Sequence, residues 1–496
     1  VNNFDAAKER LTRRPKLNKS DIPKSRSIGT TPTKSCRCLL SGLSFTEHYY
    51  KNKTIQTMKA ILSALLLLGA FCASAQTTIL INNVQIFNGT DEKLTTGNVL
   101  IQGDSIAKIS TSPIPANKSA NVTIIDGKGK FLMPGLIDAH VHTMMSAMPM
   151  MELMTADVGY IYLVAGQEAG RTLLRGFTTV RDLGGPSFAL KKAIDRGIIN
   201  GPRIYPSGAM ISQTGGHGDF RMPWEVPTVP GAPLSRGDAL GAGAIADGPD
   251  AVRLRSREQL MLGATQLKLA AGGGVSSAYD PIDVSQYTEA EFRAAVEAAE
   301  NWGTYVTVHA YTPRAIQMAI RGGVKCIDHG QLLDEETAKI MAEKGIWLSL
   351  QAFIDHEYAN KPATPEGRAK QIEMFSGTDN AYKLAKKYKL KTAWGTDMLF
   401  NPQMTKHQGS ILALMTRWYT PFEVLKMATS DNAELLSLSG PRNPYPKKLG
   451  VIKEGAYADM ILVDGNPIQN LNLVADPEKN FVLIIKNGVV YKNTIK

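Results

Sequence analysis

The sequence predicts an α/β protein: a (β/α)8 TIM barrel with a small β-sandwich domain formed by both ends of the mature chain. Three observations predict it. Short alternating segments with turn glycines stand at both ends, as in "TILINNVQIFNG" and "FVLIIKNGVVYKN". Between them, apolar strand segments alternate with helical ones, the signature of a parallel sheet wrapped by helices. With 43% hydrophobic and 20% charged residues over 496 positions, the chain can bury a large core.

In chain order, residues 1–57 are polar, basic and without helical or strand period. They are expected to be a non-native leader, from upstream read-through or a misannotated start, and disordered if present. Residues 58–75, "MKAILSALLLLGAFCASA", read as a signal peptide: one lysine, a short apolar run, then Ala73-Ser74-Ala75 as the cleavage pattern. Export to a bacterial periplasm or secretion is the expectation. The apolar run is too short for a stable membrane span. Cleavage would leave Cys326 alone of Cys36, Cys38, Cys72 and Cys326, so no disulfide framework is expected.

Residues 76–133 and 440–496 are the two parts of the β-sandwich domain, and 134–439 the barrel. Strands are predicted at Leu136–His142, Thr178–Asp182, Arg203–Ile211, Gln266–Ala270, Tyr305–His309, Cys326–His329, Trp347–Leu350 and Thr392–Asp397. "DVGYIYLVAGQEAGRTLLRG", "EAEFRAAVEAAENWG" and "PRAIQMAIRGG" have helical period. The stretch from Gln213 to about Ala251 is rich in Gly, Pro and Ala without clear period, and reads as a long loop, functional or disordered, on the strand-end face.

The formal charge of +11 does not point to nucleic acid. The first 75 residues hold 13 of the 56 Lys and Arg but 4 of the 45 Asp and Glu, so the remainder is close to neutral.

Chemistry collects at the predicted strand ends. His140 and His142 in "PGLIDAHVH" stand two apart, so on a strand they share a face and can hold a divalent ion. Lys268 sits in "QLKLAAGGG", His309 ends "YVTVHAY", His329 ends "KCIDHG" and Asp397 ends "TAWGTD". In a barrel these points converge at one mouth. Such donors suit Zn²⁺, with Mn²⁺, Co²⁺ and Fe²⁺ as alternatives. An ammonium cannot ligate a metal. A buried neutral lysine can add carbon dioxide to give a carbamate, which can bridge two metals.

This series resembles the amidohydrolase superfamily across residues 77–496, including "ADMILVDGNP" near the end. On "LKLAAGGGVSS" and "ISQTGGHGD" it looks most like the imidazolonepropionase-related branch that includes Xaa-Pro dipeptidase (prolidase)-like and aryldipeptidase-like enzymes. Lys268 argues against imidazolonepropionase itself, which uses a single metal. The resemblance implies two divalent ions, foremost Zn²⁺. His140, His142 and Asp397 would hold the more buried one, His309 and His329 the more exposed one, and carboxylated Lys268 would bridge them. It further implies amide hydrolysis by a bridging hydroxide, with Asp397 as proton shuttle, on a dipeptide (Xaa-Pro-like) or N-acyl amino acid. The expected partner is a small molecule with a free carboxylate, and homo-oligomerisation stays open.

His217 in "TGGHGD" and Tyr311 in "VHAY" are catalytic candidates for holding the substrate carbonyl or carboxylate. Arg181 and Arg221 are alternatives for the carboxylate, with nothing to choose between them. His356 and His407 read as local loop or helix residues. The Met144–Met151 cluster reads as apolar lining or core. Gly272–Gly274 lacks both phosphate-loop spacings and reads as a close backbone approach to the metal centre. The alternatives are another amidohydrolase reaction (cyclic amide opening, deamination or ester hydrolysis) or a non-catalytic metal-dependent binding protein.

Overall fold

The computed structural model describes residues 77–115, 122–226, 232–362 and 364–495. The leader, the signal peptide, and Cys36, Cys38 and Cys72 lie outside the described residues. The described residues form one compact unit.

The chain begins its sheet with β1 (Thr78–Ile86), β2 (Thr95–Gln102), β3 (Ser105–Ser110), β4 (Val122–Asp126) and β5 (Phe131–Pro134). Strand β1 pairs antiparallel with β2 and parallel with β4 and β5. Ile79 and Ile81 on β1 and Val99 and Ile101 on β2 alternate into one buried face, and a bulge between Ile81 and Val84 returns Val84 and Ile86 to it.

Parallel strands follow. β6 (Leu136–Val141), β7 (Phe177–Asp182) and β8 (Arg203–Pro206) form one ladder. β9 (Met210–Ser212), β11 (Leu267–Ala270), β12 (Val306–Ala310), β13 (Cys326–His329), β14 (Trp347–Leu350) and β15 (Thr392–Trp394) form another, with β10 (Gly243–Ile245) added outside β9. These strands are almost wholly buried, as expected of parallel sheets covered by helices.

The helices between them start on recognisable signals. Asp157 caps Val158–Leu174 by accepting from Gly159 N. Thr288 and Glu291 form a capping box on Glu289–Asn301, and Pro313 and Pro365 open Pro313–Arg321 and Pro365–Lys387.

The strand expected at Arg203–Ile211 is broken into β8 and β9. Gly208 has φ +74°, and a Cβ there would stand 2.3 Å from Gln259 Oε1, so the chain steps sideways at a position only glycine fits. The expected long loop after β9 contains the short helix Arg236–Leu240 and β10. The two parallel ladders are linked at their margins. Thr265 N donates to Pro206 O (2.8 Å), beside β11 and β8, and Asp397 N to His140 O (2.8 Å), beside β15 and β6.

The chain ends in β16 (Met460–Val463), β17 (Phe481–Lys486) and β18 (Val489–Asn493). β16 pairs antiparallel with β5, aligning Ile461 with Met133 and Leu462 with Leu132. Both ends of the described chain therefore share one eight-stranded sheet. No helix among the described residues is long and apolar enough to cross a membrane.

Candidate active site

The C-terminal ends of the parallel strands surround a cavity. His140, His142, His217, His309, His329 and His356 line it, six of the eight histidines in the chain. Lys268, Tyr311 and Asp397 line it too. Histidines serving unrelated packing roles would not converge in this way.

His140 and His142 project together from the end of β6, their rings 5.4 Å apart. Asp397 meets both, with Oδ1 3.1 Å from His140 Nε2 and 3.0 Å from His142 Nε2. From β12 and β13, the His309 and His329 rings stand 4.6 Å apart, and the His140 ring is 4.9 Å from that of His329. Tyr311 lies edge-on to His309 at 4.8 Å, and His217 stacks on its face at 3.9 Å.

Lys268 is buried on β11, with Nζ donating to Asp328 Oδ2 at 2.6 Å. Asp328 also accepts from Arg181 Nη2 (2.7 Å) and Thr307 Oγ1 (2.8 Å). Arg181 is therefore committed beneath the site and is not a substrate clamp. Arg221 forks onto Asp219, at 2.8 and 2.5 Å, and does not line the cavity.

Burial sets the charge states. It lowers the His140 imidazolium to about 4, against the pull of Asp397, and carries His309 and His329 well below the usual histidine range. These rings are neutral and offer lone pairs. Burial alone would push the Asp397 carboxyl up, but His140, His142 and His329 hold it well below its ordinary value. Burial also draws Lys268 towards the neutral amine, against Asp328.

The donor set fits divalent metal. Ligand atoms of His140, His329 and Asp397 lie within 4.8 Å of one another. Nδ1 of His142 is buried with no hydrogen-bond partner. A carbonyl only accepts, so His309 Nε2 donates to Gly273 O (3.0 Å) and its Nδ1 keeps a lone pair. His329 Nδ1 meets Gln351 Oε1 at 2.7 Å, which leaves Nε2 free. Outer partners of this kind orient metal-binding imidazoles.

Two site residues hold left-handed backbone, His329 at φ +83° and Asp397 at +54°. Strain of this kind collects at functional sites. At His329 it breaks strand alternation, so adjacent Asp328 and His329 both turn inward, Asp328 to Lys268 beneath the cavity and His329 to the cavity wall.

The model of the Amidohydrolase family matches residues 131–496. The chain belongs to this family. Its members hydrolyse carbon–nitrogen bonds, and this amidohydrolase is an enzyme of that kind. It is 32% identical to ochratoxinase from Aspergillus niger over 416 residues, 82% of this chain and 84% of the relative. A crystal structure of a prolidase complexed with N-methylphosphonate-L-proline is 34% identical at a TM-score of 0.76, covering 84% of this chain and all of that one. A crystal structure described as an amidohydrolase is 36% identical at the same TM-score, covering 85% of this chain and all of that one.

Several residues escaped the sequence reading. Asp138 is fully buried one step before His140 on the same face of β6, and accepts from His140 N (3.1 Å), Thr396 N (3.0 Å), Thr396 Oγ1 (2.7 Å) and Gln408 Nε2 (2.9 Å). It thus ties β6 to the segment carrying Asp397. Its place at i−2 from His140 was the available signal. His356, read as a local loop residue, lines the cavity, whereas His407 stacks on Tyr358 at 4.0 Å. Met144, Met145 and Met148 are buried as expected, but Met151 is 58% exposed.

Proposed function

We propose that this enzyme holds two divalent ions, foremost Zn²⁺, and cleaves the amide bond of an Xaa-Pro-like dipeptide or an N-acyl amino acid. The convergence of His140, His142, His309, His329, Lys268 and Asp397 on one cavity carries the reading. His140, His142 and Asp397 would hold one ion and His309 and His329 the other. Lys268 would lie between them as a carbamate, formed when its neutral amine adds carbon dioxide and loses a proton. Ions so held would acidify a water and polarise the scissile carbonyl.

The residues do the rest. Asp397 is ionised at the cavity wall, so it accepts the proton of the attacking water and returns it to the leaving nitrogen. His217 and Tyr311 flank His309 and hold the substrate carbonyl or carboxylate. No arginine lines the cavity among the described residues, which leaves this duty to them.

Beyond the polar centre the wall is apolar: Met145, Met210, Phe220, Phe353, Met374 and Phe375. It favours a bulky apolar group on the acyl side. The same proposal includes a closed (β/α)8 barrel at 134–439, a β-sandwich built from 76–133 and 440–496, and action outside the cytoplasm.

The test is turnover on N-acyl-prolines and N-acyl amino acids of increasing acyl size, with zinc and bicarbonate present. Turnover should rise with acyl size, and Phe375→Ala should lower kcat/KM for the largest acyl groups by about tenfold. Turnover confined to cyclic amides, esters or amino-substituted rings would move the reading to another reaction of the family.

A further inference from the structure

His217 rises from a glycine-rich turn, Gly215-Gly216-His217-Gly218, that gives its ring little local support. Its support comes from elsewhere. The ring Nδ1 lies 2.8 Å from Ser277 Oγ and 3.6 Å from Asp280 Oδ2. The Ser277 hydroxyl donates to Gly274 O at 3.3 Å, so towards the ring it accepts. The proton of a neutral His217 therefore sits on Nδ1, and Nε2 is the free nitrogen.

Asp280 is 2% exposed and far from the surface chemistry of an ordinary loop carboxylate. Its Oδ2 accepts from Gly274 N (2.8 Å) and Gln286 Nε2 (3.3 Å), while Oδ1 is buried with no partner. Gln286 Oε1 in turn accepts from His217 N at 3.1 Å. A Cβ on Gly274 would stand 1.9 Å from His217 Nδ1, so this backbone lies directly on the imidazole.

The segment is clamped from a distance. Lys370, on the helix Pro365–Lys387, donates to three carbonyls: Gly274 O (3.2 Å), Ser277 O (3.0 Å) and Asp280 O (2.7 Å). The next residues of that helix, Gln371, Met374 and Phe375, wall the cavity. One helix thus shapes the substrate space and pins the segment behind His217.

We infer that Ser277, Asp280 and Lys370 are positioning residues that fix the tautomer and aim of His217, presenting Nε2 to the substrate. This rests on the reading that His217 faces the substrate. A ring held in one orientation before substrate arrives loses no freedom in the transition state, which is the gain such a relay supplies.

The test uses His217→Ala, Asp280→Asn, Lys370→Met and Lys370→Arg in the full chain. Measurements are kcat and KM on an N-acyl-proline, thermal melting, and [15N]histidine spectra, with the His217 signals identified by their loss in His217→Ala. The wild-type ring should be protonated at Nδ1, and Asp280→Asn and Lys370→Met should give mixed tautomers. Each should lower kcat/KM by about 10–100-fold, with Lys370→Arg recovering most of the loss. In the His217→Ala background each should add less than about twofold, because both act through that ring.

Losses that multiply with His217→Ala, or an Nε2-protonated wild-type ring, would overturn the relay. A His217→Ala chain as active as its parent would overturn both the relay and the substrate role of His217. The Nδ1 tautomer, lost in Asp280→Asn, in a chain that hydrolyses no N-acyl-proline would support the relay and discard the substrate reading.

Discussion

Lys268 and Lys486 are both buried, at 1% and 3% exposure, and burial draws both ammonium groups towards the neutral amine. Each stands beside a buried Arg–Asp pair, and beyond that pair the surroundings differ. Around Lys486, at the end of β17, charge is matched and covered. Arg203 forks onto Asp459 at 3.1 and 3.2 Å, Asp459 also accepts from Asn487 N at 2.8 Å, and the guanidinium lies 3.8 Å over the Tyr457 ring. Lys268 has its own ion pair with Asp328 (2.6 Å), backed by Arg181, but its other neighbours are neutral imidazoles with lone pairs turned to a cavity, beside a strained, ionised aspartate. Both regions bury charge among aromatic rings. The difference lies in what they leave unsatisfied: the joint between β8 and the terminal sheet closes its polar groups on one another, and the cavity holds its own open for a ligand.

Removing one group from each region should separate them sharply. The largest effect is expected at Asp397→Asn, which keeps the shape and removes the proton acceptor. Turnover should fall by about 10²–10⁴-fold with melting little changed, measured as kcat on the best N-acyl substrate. A variant retaining a tenth of wild-type turnover would break the distinction.

Asp459→Ala should do the reverse. It strands the buried Arg203 and should cost about 3–5 kcal/mol in denaturant unfolding, while kcat per folded molecule stays the same.

Lys486→Met sharpens the contrast between the lysines. Unfolded, that ammonium titrates near 10.5; folded, near 8. Between these values unfolding takes up a proton, so rising pH favours the folded state. Wild-type stability should therefore climb from pH 8 to 10.5. Lys486→Met should remove this climb and gain up to about 3 kcal/mol at pH 7, read from unfolding curves across that range. A flat wild-type profile would show that Lys486 keeps its ordinary affinity for protons.

Much of the architecture was legible because its signals are local. Alternation marked the strands, and Cys326–His329 and Trp347–Leu350 match the observed β13 and β14. Spacing by two put His140 and His142 on one face, as found. What stayed hidden depends on non-local or irregular backbone. Alternation would set Asp328 opposite His329, and only the left-handed φ at His329 brings both inward. The step at Gly208 follows from Gln259, far along the chain, and no local pattern announces it. Lys370 looks like an ordinary helix-surface lysine in sequence, because the carbonyls it clamps lie some 90 residues earlier. Arg181 and Arg221 could not be ranked as carboxylate clamps until Asp328 and Asp219 were seen to occupy them.

The central claim is that Lys268 and its neighbours form one two-metal centre. Metal per chain, measured by elemental analysis of protein prepared with zinc and bicarbonate, tests it most directly when wild type and Lys268→Met are compared. The account predicts about two ions per wild-type chain and less than about one in the variant, with the fold intact. A well-folded wild-type chain that binds no metal, or a variant that keeps both ions, would contradict it.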